Sequence, residues 1–240
     1  SRVETAAAEV LLFQAIPRRR TNRHPYAPEP LPEELLQALA EAARREGAWL
    51  ECVTDDPRRE ALGDLVASAD RAQWADRLFR GELAAWLRPN DSPAPDGIPG
   101  WAEGLGDWAS QAGPMVIRTF DLGRGQAAKD REIVLGSPVL AVLGTDRDTP
   151  SDWLAAGQAL ARVLLRARSE EVWASFLNQP VEVEALRPEV ARAVGREGAP
   201  QALLRLGRAA DVPPTRRRPV REVFEDSPNL HREATHDVDL

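Results

Sequence analysis

Ala15-Ile16-Pro17-Arg18-Arg19-Arg20-Thr21-Asn22-Arg23 sets four arginines and a threonine directly behind a proline. Upstream, residues 3–16 (VETAAAEVLLFQAI) are helix formers with one apolar side, and Pro17 ends that run. Downstream, prolines at 25, 28, 30 and 32 are too closely spaced to propagate a helix, so the arginines sit in a loop. Guanidinium forks donate paired hydrogen bonds to phosphate oxygens, and the Thr21 hydroxyl adds a third donor. A second basic cluster, Arg216-Arg217-Arg218, also lies between prolines, at 213, 214 and 219. All but one of the 31 basic residues are arginine, Lys129 being the exception, so only the placement of arginines carries information. Each cluster alone reads as solvated surface charge. Two clusters meeting on one anion would read as a site, and spacing does not decide whether they meet.

Around these clusters the pattern is mixed. Pro32–Glu46 is helical, with acidic residues in its first turn, Arg44 and Arg45 in its last, and Gly47 as C-cap. Residues 48–53 read as a strand, and residues 57–88 as a long, weakly periodic helix. Within it Glu82–Arg88 is an amphipathic helix end rather than a catalytic group. Residues 89–114 hold five prolines, five glycines and two tryptophans, and read as a long loop that packs on something. Pro138–Gly144 is a short continuous apolar run, a strand buried on both faces. Thr149-Pro150-Ser151-Asp152 starts a helix to about Arg168, with Trp153, Gly157, Leu160, Ala161 and Leu164 expected on its packed face and Gly157 allowing close contact. A shorter helix is expected at 169–176 and a strand at 202–207. The sum is α+β: a helical layer on a small sheet.

The composition excludes several classes. The chain has 240 residues, a net charge of -7 and 29% charged residues, which fits a globular protein and argues against nucleic-acid binding. No apolar run is long enough to span a membrane, no secretory signal is visible, and the expected compartment is the cytoplasm. Cys52 is the only cysteine, so a Cys-rich metal site and an intrachain disulfide are excluded. His24, His231 and His236 lack zinc-like spacing, and no metal is expected. Neither GxxxxGK[ST], GxGxxG nor GxSxG is present.

The Ala15–Arg23 stretch resembles the opening motif of nitroreductase-like FMN-dependent oxidoreductases, a helix leading into an Arg-x-(Ser/Thr)-x-(Arg/Lys) turn. The order of later segments adds to it: Trp153–Leu160, Asn178–Glu182 and Arg217-Arg218-Pro219-Val220. Glu82–Arg88, Asp96–Pro99 and Pro200–Gly207 are similar to the Acg branch, so the resemblance spans roughly residues 15–222. It implies a nitroreductase-like sandwich, a small central sheet flanked by helices, over residues 1–222, followed by a mobile acidic tail at 223–240. It implies FMN as cofactor, its phosphate held by Arg19, Arg20, Thr21, Arg23, Arg217 and Arg218, with Pro180, Val181 and Glu182 along the flavin ring. It implies no catalytic side chain, since the flavin carries the chemistry, with NAD(P)H as reductant and a nitro, quinone or similar acceptor. A helix-loop segment at about 64–114 would cover the flavin. One departure stands out: the family's pyrimidine-side loop is missing after the first helix, where Ala42–Trp49 stands. A homodimer partner, or an N-terminal half absent here, would supply it. The alternatives are a non-catalytic FMN-sequestering protein and an interaction domain that has lost FMN.

Overall fold

A computed structural model describes residues 2–224. The tail expected at 223–240, with His231 and His236, lies from residue 225 onward outside the described residues.

Helix α1 (Arg2–Ala15) gives way at Pro17 to a short 3-10 turn, Ile16–Arg18. Irregular chain leads to α2 (Glu33–Arg44), which closes at Gly47 with φ +80°, and then to strand β1 (Trp49–Val53). Helix α3 (Asp56–Ala75) starts at Asp55, whose side chain accepts from the Arg58 amide. The single helix expected over 57–88 is two, because Asp76 leaves helical geometry and caps α4 (Arg77–Trp86) through the Leu78 amide at 2.8 Å. The expected loop at 89–114 is more ordered than its composition suggested. Strand β2 (Leu87–Arg88) pairs in parallel with β3 (Ile98–Pro99), and a 3-10 turn, Gly100–Glu103, precedes α5 (Asp107–Thr119). Pro114 lies inside α5, where it removes one ladder donor without ending the helix.

Helix α6 (Gly123–Leu135) and strand β4 (Val139–Thr145) follow, then α7 (Pro150–Ser169), β5 (Trp173–Phe176), α8 (Gln179–Glu182), α9 (Arg187–Ala193), β6 (Ala199–Gly207) and α10 (Val220–Val223). The helix expected at 169–176 is replaced by β5. Glu171 takes φ 58°, which stops α7, and the next residues pair antiparallel with β6 from Trp173↔Gly207 to Phe176↔Leu204. Tertiary pairing overrode a local helical preference there.

The four strands form an antiparallel sheet in the order β1-β4-β6-β5. Because side chains alternate along a strand, β4 sends Val139, Ala141 and Leu143 to one face and Leu140 and Val142 to the other. The first face packs on α2 and α7 through Leu39, Ala43, Ala159 and Val163. The second packs on α3, α6 and α9 through Leu62, Val66, Val134 and Val190. Both faces are covered, which is why β4 reads as an unbroken apolar run. The buried side of α7 holds Ala156, Ala159, Val163, Leu164, Ala167 and Arg168; Leu164 is packed as expected and Leu160 is partly buried against the core, but the rest of the stripe is rotated from the expected one. Trp153 is 54% exposed, and a Cβ on Gly157 would meet nothing within 4 Å, so that glycine makes no close contact. Of the covering segment expected at 64–114, residues to Ala75 belong to α3, with Val66 in the sheet core. The remainder, through α4, β3 and the start of α5, lies against that body.

Gly144 marks a register shift in β4, and a Cβ there would lie 2.1 Å from Cζ2 of Trp49. Gly144→Ala is expected to cost about 2 kcal/mol or more, because a methyl group has no room beside a buried indole. Urea denaturation checks this, and an unchanged midpoint would show that Trp49 moves aside freely.

Candidate functional site

The arginine turn is fixed from the sheet. Thr21 bridges in parallel to Ala174 of β5, and the Asn22 amide donates to the Ala174 carbonyl at 3.3 Å. Arg205 of β6, 2% exposed, reaches out of the sheet and donates to the His24 carbonyl at 3.1 Å through both terminal nitrogens, and to the Asn22 carbonyl at 3.3 Å. Its guanidinium lies 4.0 Å from the centre of the Tyr26 ring, whose hydroxyl donates to the Asn22 carbonyl at 2.8 Å. The Asn22 side chain donates to the Ala210 carbonyl at 3.0 Å and accepts from the His24 amide at 3.0 Å. Sequence reading missed Asn22, Tyr26 and Arg205 as positioning residues. The available signal was Arg205, a lone charge inside an apolar strand.

The fold brings the two basic clusters together. Arg19, Arg20, Thr21 and Arg23 form one wall of a cleft of about 150 Å3, and Gly97–Pro99 with Trp101 form a second. Val212, Pro213, Thr215 and Arg217 complete it. Arg218 is not part of it; it is tied to Asp96 in the covering segment. Pro180, Val181 and Glu182 do not line it either. They lie on α8, where Pro180 is buried, Val181 packs on the second core face, and Glu182 accepts from Gln73 at 2.8 Å.

The charges in this cleft are incompletely paired. Among the described residues Arg19 has no carboxylate partner. Arg20 donates to Asp211 at 3.0 Å, yet its buried Nε has no partner. Arg217 engages only oxygens of Thr215 and Arg216. Arg23 pairs with Glu103 at 2.9 Å. Burial pushes the Glu103 carboxyl up from its ordinary value, and Arg23 acts against that. Four guanidinium groups, a hydroxyl and an orphaned buried N–H suit a phosphate. The volume is below that of a typical ligand pocket, so the cleft fits the anionic end of a larger molecule.

Two buried carboxylates stand nearby, and among the described residues no cation is bonded to either. Asp70 of α3 is 2% exposed and Asp130 of α6 is 8% exposed. Gln126 donates to Asp130 at 2.9 Å and Gln179 of α8 donates to it at 3.1 Å, while Asp70 Oδ2 has no partner. Burial first, and the charge of Asp130 second, push Asp70 up to about 7. Burial raises Asp130 as well. The charges of Arg71, Lys129 and Arg205 favour ionisation but do not outweigh burial, and Asp130 in turn raises the Glu103 carboxyl.

No family model matches the chain. Over 232 residues, 94% of its length, it is 34% identical to a Mycobacterium tuberculosis (strain ATCC 25618 / H37Rv) protein that carries the provisional name NAD(P)H nitroreductase Rv3131. It is 29% identical over 231 residues to a second protein of that strain, provisionally named the NAD(P)H nitroreductase acg. The chain spans about two thirds of these relatives, 65% of the first and 66% of the second. Among solved structures it is similar to the FMN and NADPH-dependent nitroreductase NfnB from Sphigopyxis sp. strain HMH, with a TM-score of 0.56, 21% identity, and coverage of 89% of this chain and 97% of that one. It is also similar to a nitroreductase of Desulfovibrio desulfuricans in complex with FMN, at a TM-score of 0.53 and 21% identity over 90% of this chain and 96% of that one. Over nearly its whole length the chain is similar to proteins provisionally named nitroreductases, and it shares the fold of solved nitroreductases.

Two outcomes test this geometry. Arg205→Met should cost about 3 kcal/mol, since it removes both side-chain donors to the His24 carbonyl and leaves the Asn22 carbonyl with Tyr26 alone, and should loosen the arginine turn. Hydrogen exchange of the Asn22–Ala27 amides reads that, and unchanged protection would mean that Tyr26 and Asn22 suffice. For Asp70, the folded chain holds up to about pH 7 a proton that the unfolded chain releases near 3.8. Stability therefore falls as pH rises through that window. Asp70→Asn should be the more stable protein at pH 8, by about 2 kcal/mol, and should lose that advantage toward pH 4. A pH-independent difference would show that Asp70 ionises without cost.

Proposed function

We propose that this chain is an FMN-binding oxidoreductase of the nitroreductase type, in which Arg19, Arg20, Thr21, Arg23 and Arg217 hold the cofactor phosphate. The observation that carries the proposal is the meeting of two distant arginine clusters on one small cleft with unpaired donors. Arg19 and Arg217 bring charge that no carboxylate among the described residues neutralises, and Arg20 Nε offers a buried donor. Thr21, held to β5 through the backbone, places its hydroxyl on the same wall. Arg218 steadies the covering segment through Asp96 and acts on the phosphate only as background charge. The FMN that the similar solved nitroreductases depend on or hold favours this cofactor over other phosphate esters.

When bound, the flavin supplies hydride acceptance and donation; NAD(P)H is the proposed reductant and a nitro or quinone compound the acceptor. Pro180–Glu182 would flank its ring, with α8 anchored by the Gln179–Asp130 and Gln73–Glu182 hydrogen bonds. A second subunit, or a segment of the kind that makes the relatives longer, would supply the pyrimidine-side contacts. The segment Gly97–Glu103 reaches over the cleft and places Glu103 on Arg23, which favours a covered flavin and slow turnover. Storage of FMN without turnover is the second reading for that reason.

Purified protein is expected to keep flavin absorbance after desalting and to bleach with NAD(P)H. Arg19→Ala with Arg23→Ala should weaken FMN binding by about 100-fold or more, from the loss of two charge-assisted contacts. Equal FMN affinity in that double variant would overturn the assignment of the phosphate site. Retained flavin that NAD(P)H does not bleach would favour storage.

A further inference from the structure

A second cleft of about 320 Å3 adjoins the first and shares Gly97, Pro99, Trp101 and Pro213 with it as a common wall. Its volume is within the range of ligand pockets. Trp101 presents a half-buried indole, and Pro89, Pro99, Pro213 and Pro214 add flat, rigid apolar surface. Such surfaces suit an aromatic ring. The charge on its rim is positive. Asp96 is shared between Arg88 and Arg218, which hold its carboxyl below the ordinary value. Arg216 donates to the Pro93 carbonyl at 3.0 Å and has no carboxylate partner among the described residues.

The cleft is also built in advance. Asn90 accepts from the Trp101 amide at 2.7 Å, and donates to the Leu105 carbonyl at 3.1 Å and to Asp107 at 2.8 Å. The Asn90 amide donates to the Ser110 hydroxyl at 3.1 Å. Gly100 packs so closely on Ser110 that a Cβ would lie 2.4 Å from its Cβ. Trp101 is therefore held in place before any ligand arrives, and little ordering cost remains for binding.

We infer that this cleft is a binding site for an aromatic anion, a flat ring carrying phosphate or carboxylate, which stacks on Trp101 and places its charge on Arg216. The site itself stands on the cleft, and its two candidate sources rest on the proposed oxidoreductase function. A ligand there would sit beside the phosphate cleft, so both would be filled together. The same chemistry has two sources: the adenylate end of a nucleotide reductant, or an aromatic acid that accepts electrons.

The test titrates the full chain by calorimetry with adenosine 2′,5′-bisphosphate and with 4-nitrobenzoate, each beside its neutral counterpart, adenosine or nitrobenzene. At least one anion should bind saturably. Trp101→Leu should weaken it about tenfold, the order of one stacking contact. Arg216→Gln, at an exposed position, should weaken the anion at least fivefold and leave the neutral compound unchanged. Which anion binds identifies the source. No saturable binding of either anion, or equal affinity in Arg216→Gln, overturns the site. FMN absorbance is read in parallel on the wild type: loss of FMN binding there sinks the flavin proposal and leaves this measurement intact.

Discussion

The Arg205 guanidinium, buried beside the sheet and hydrogen-bonded to the carbonyls of Asn22 and His24, is the contact on which the site depends. An arginine taken out of water costs several kcal/mol unless its donors are used, and here backbone oxygens and the Tyr26 face use them. Burial pulls its pKa down, yet an arginine stays charged across the physiological range. The consequence is geometric. A loop rich in proline, with no secondary structure of its own, is held on a rigid strand, and its outward arginines keep one arrangement.

The second constraint is the treatment of like charges. Arg19, Arg20, Arg23 and Arg217 crowd one cleft, and among the described residues two carboxylates, Asp211 and Glu103, pair with them. The excess positive charge is tolerable because the cleft is open to solvent and because an anion would relieve it. Glu103 ends the turn Gly100–Glu103, so the position of that turn and the charge on Arg23 are linked. On the far side, Asp70 and Asp130 concentrate negative charge where water is excluded, and a shared proton is the simplest relief.

Much of the fold was legible because burial writes itself into periodicity. The run Val139–Thr145 could only be a strand covered on both faces, and α2 declared itself by its stripe, its end charges and Gly47. The misreadings have different causes. Trp173–Phe176 take their structure from β6, a partner distant in the chain, whereas the turn at Gly100–Glu103 is set by the Asn90 and Ser110 side chains within the segment 89–114 itself. Local propensity is weak against such contacts. The partly rotated stripe of α7 is a third case: a narrow alanine face packs against the sheet, while the larger Trp153 stays outside and hydrogen-bonds to Asp148.

By itself the sequence determined the ingredients of the site: arginines in two proline-bounded loops, Thr21 between them, and no metal-binding or nucleophilic motif. These are properties of residue type and local backbone, which proline and charge dictate at short range. Only the tertiary structure decided that the clusters meet. Thr21 and Thr215 stand at opposite ends of the chain, and what joins them is β6, pairing with β5 under the first loop while Arg205 grips it from inside. The same physics separated Arg218, taken by Asp96, from Arg217 next to it. Which of two adjacent arginines faces a cleft depends on the carboxylate each can reach, and that is fixed by packing rather than by order along the chain.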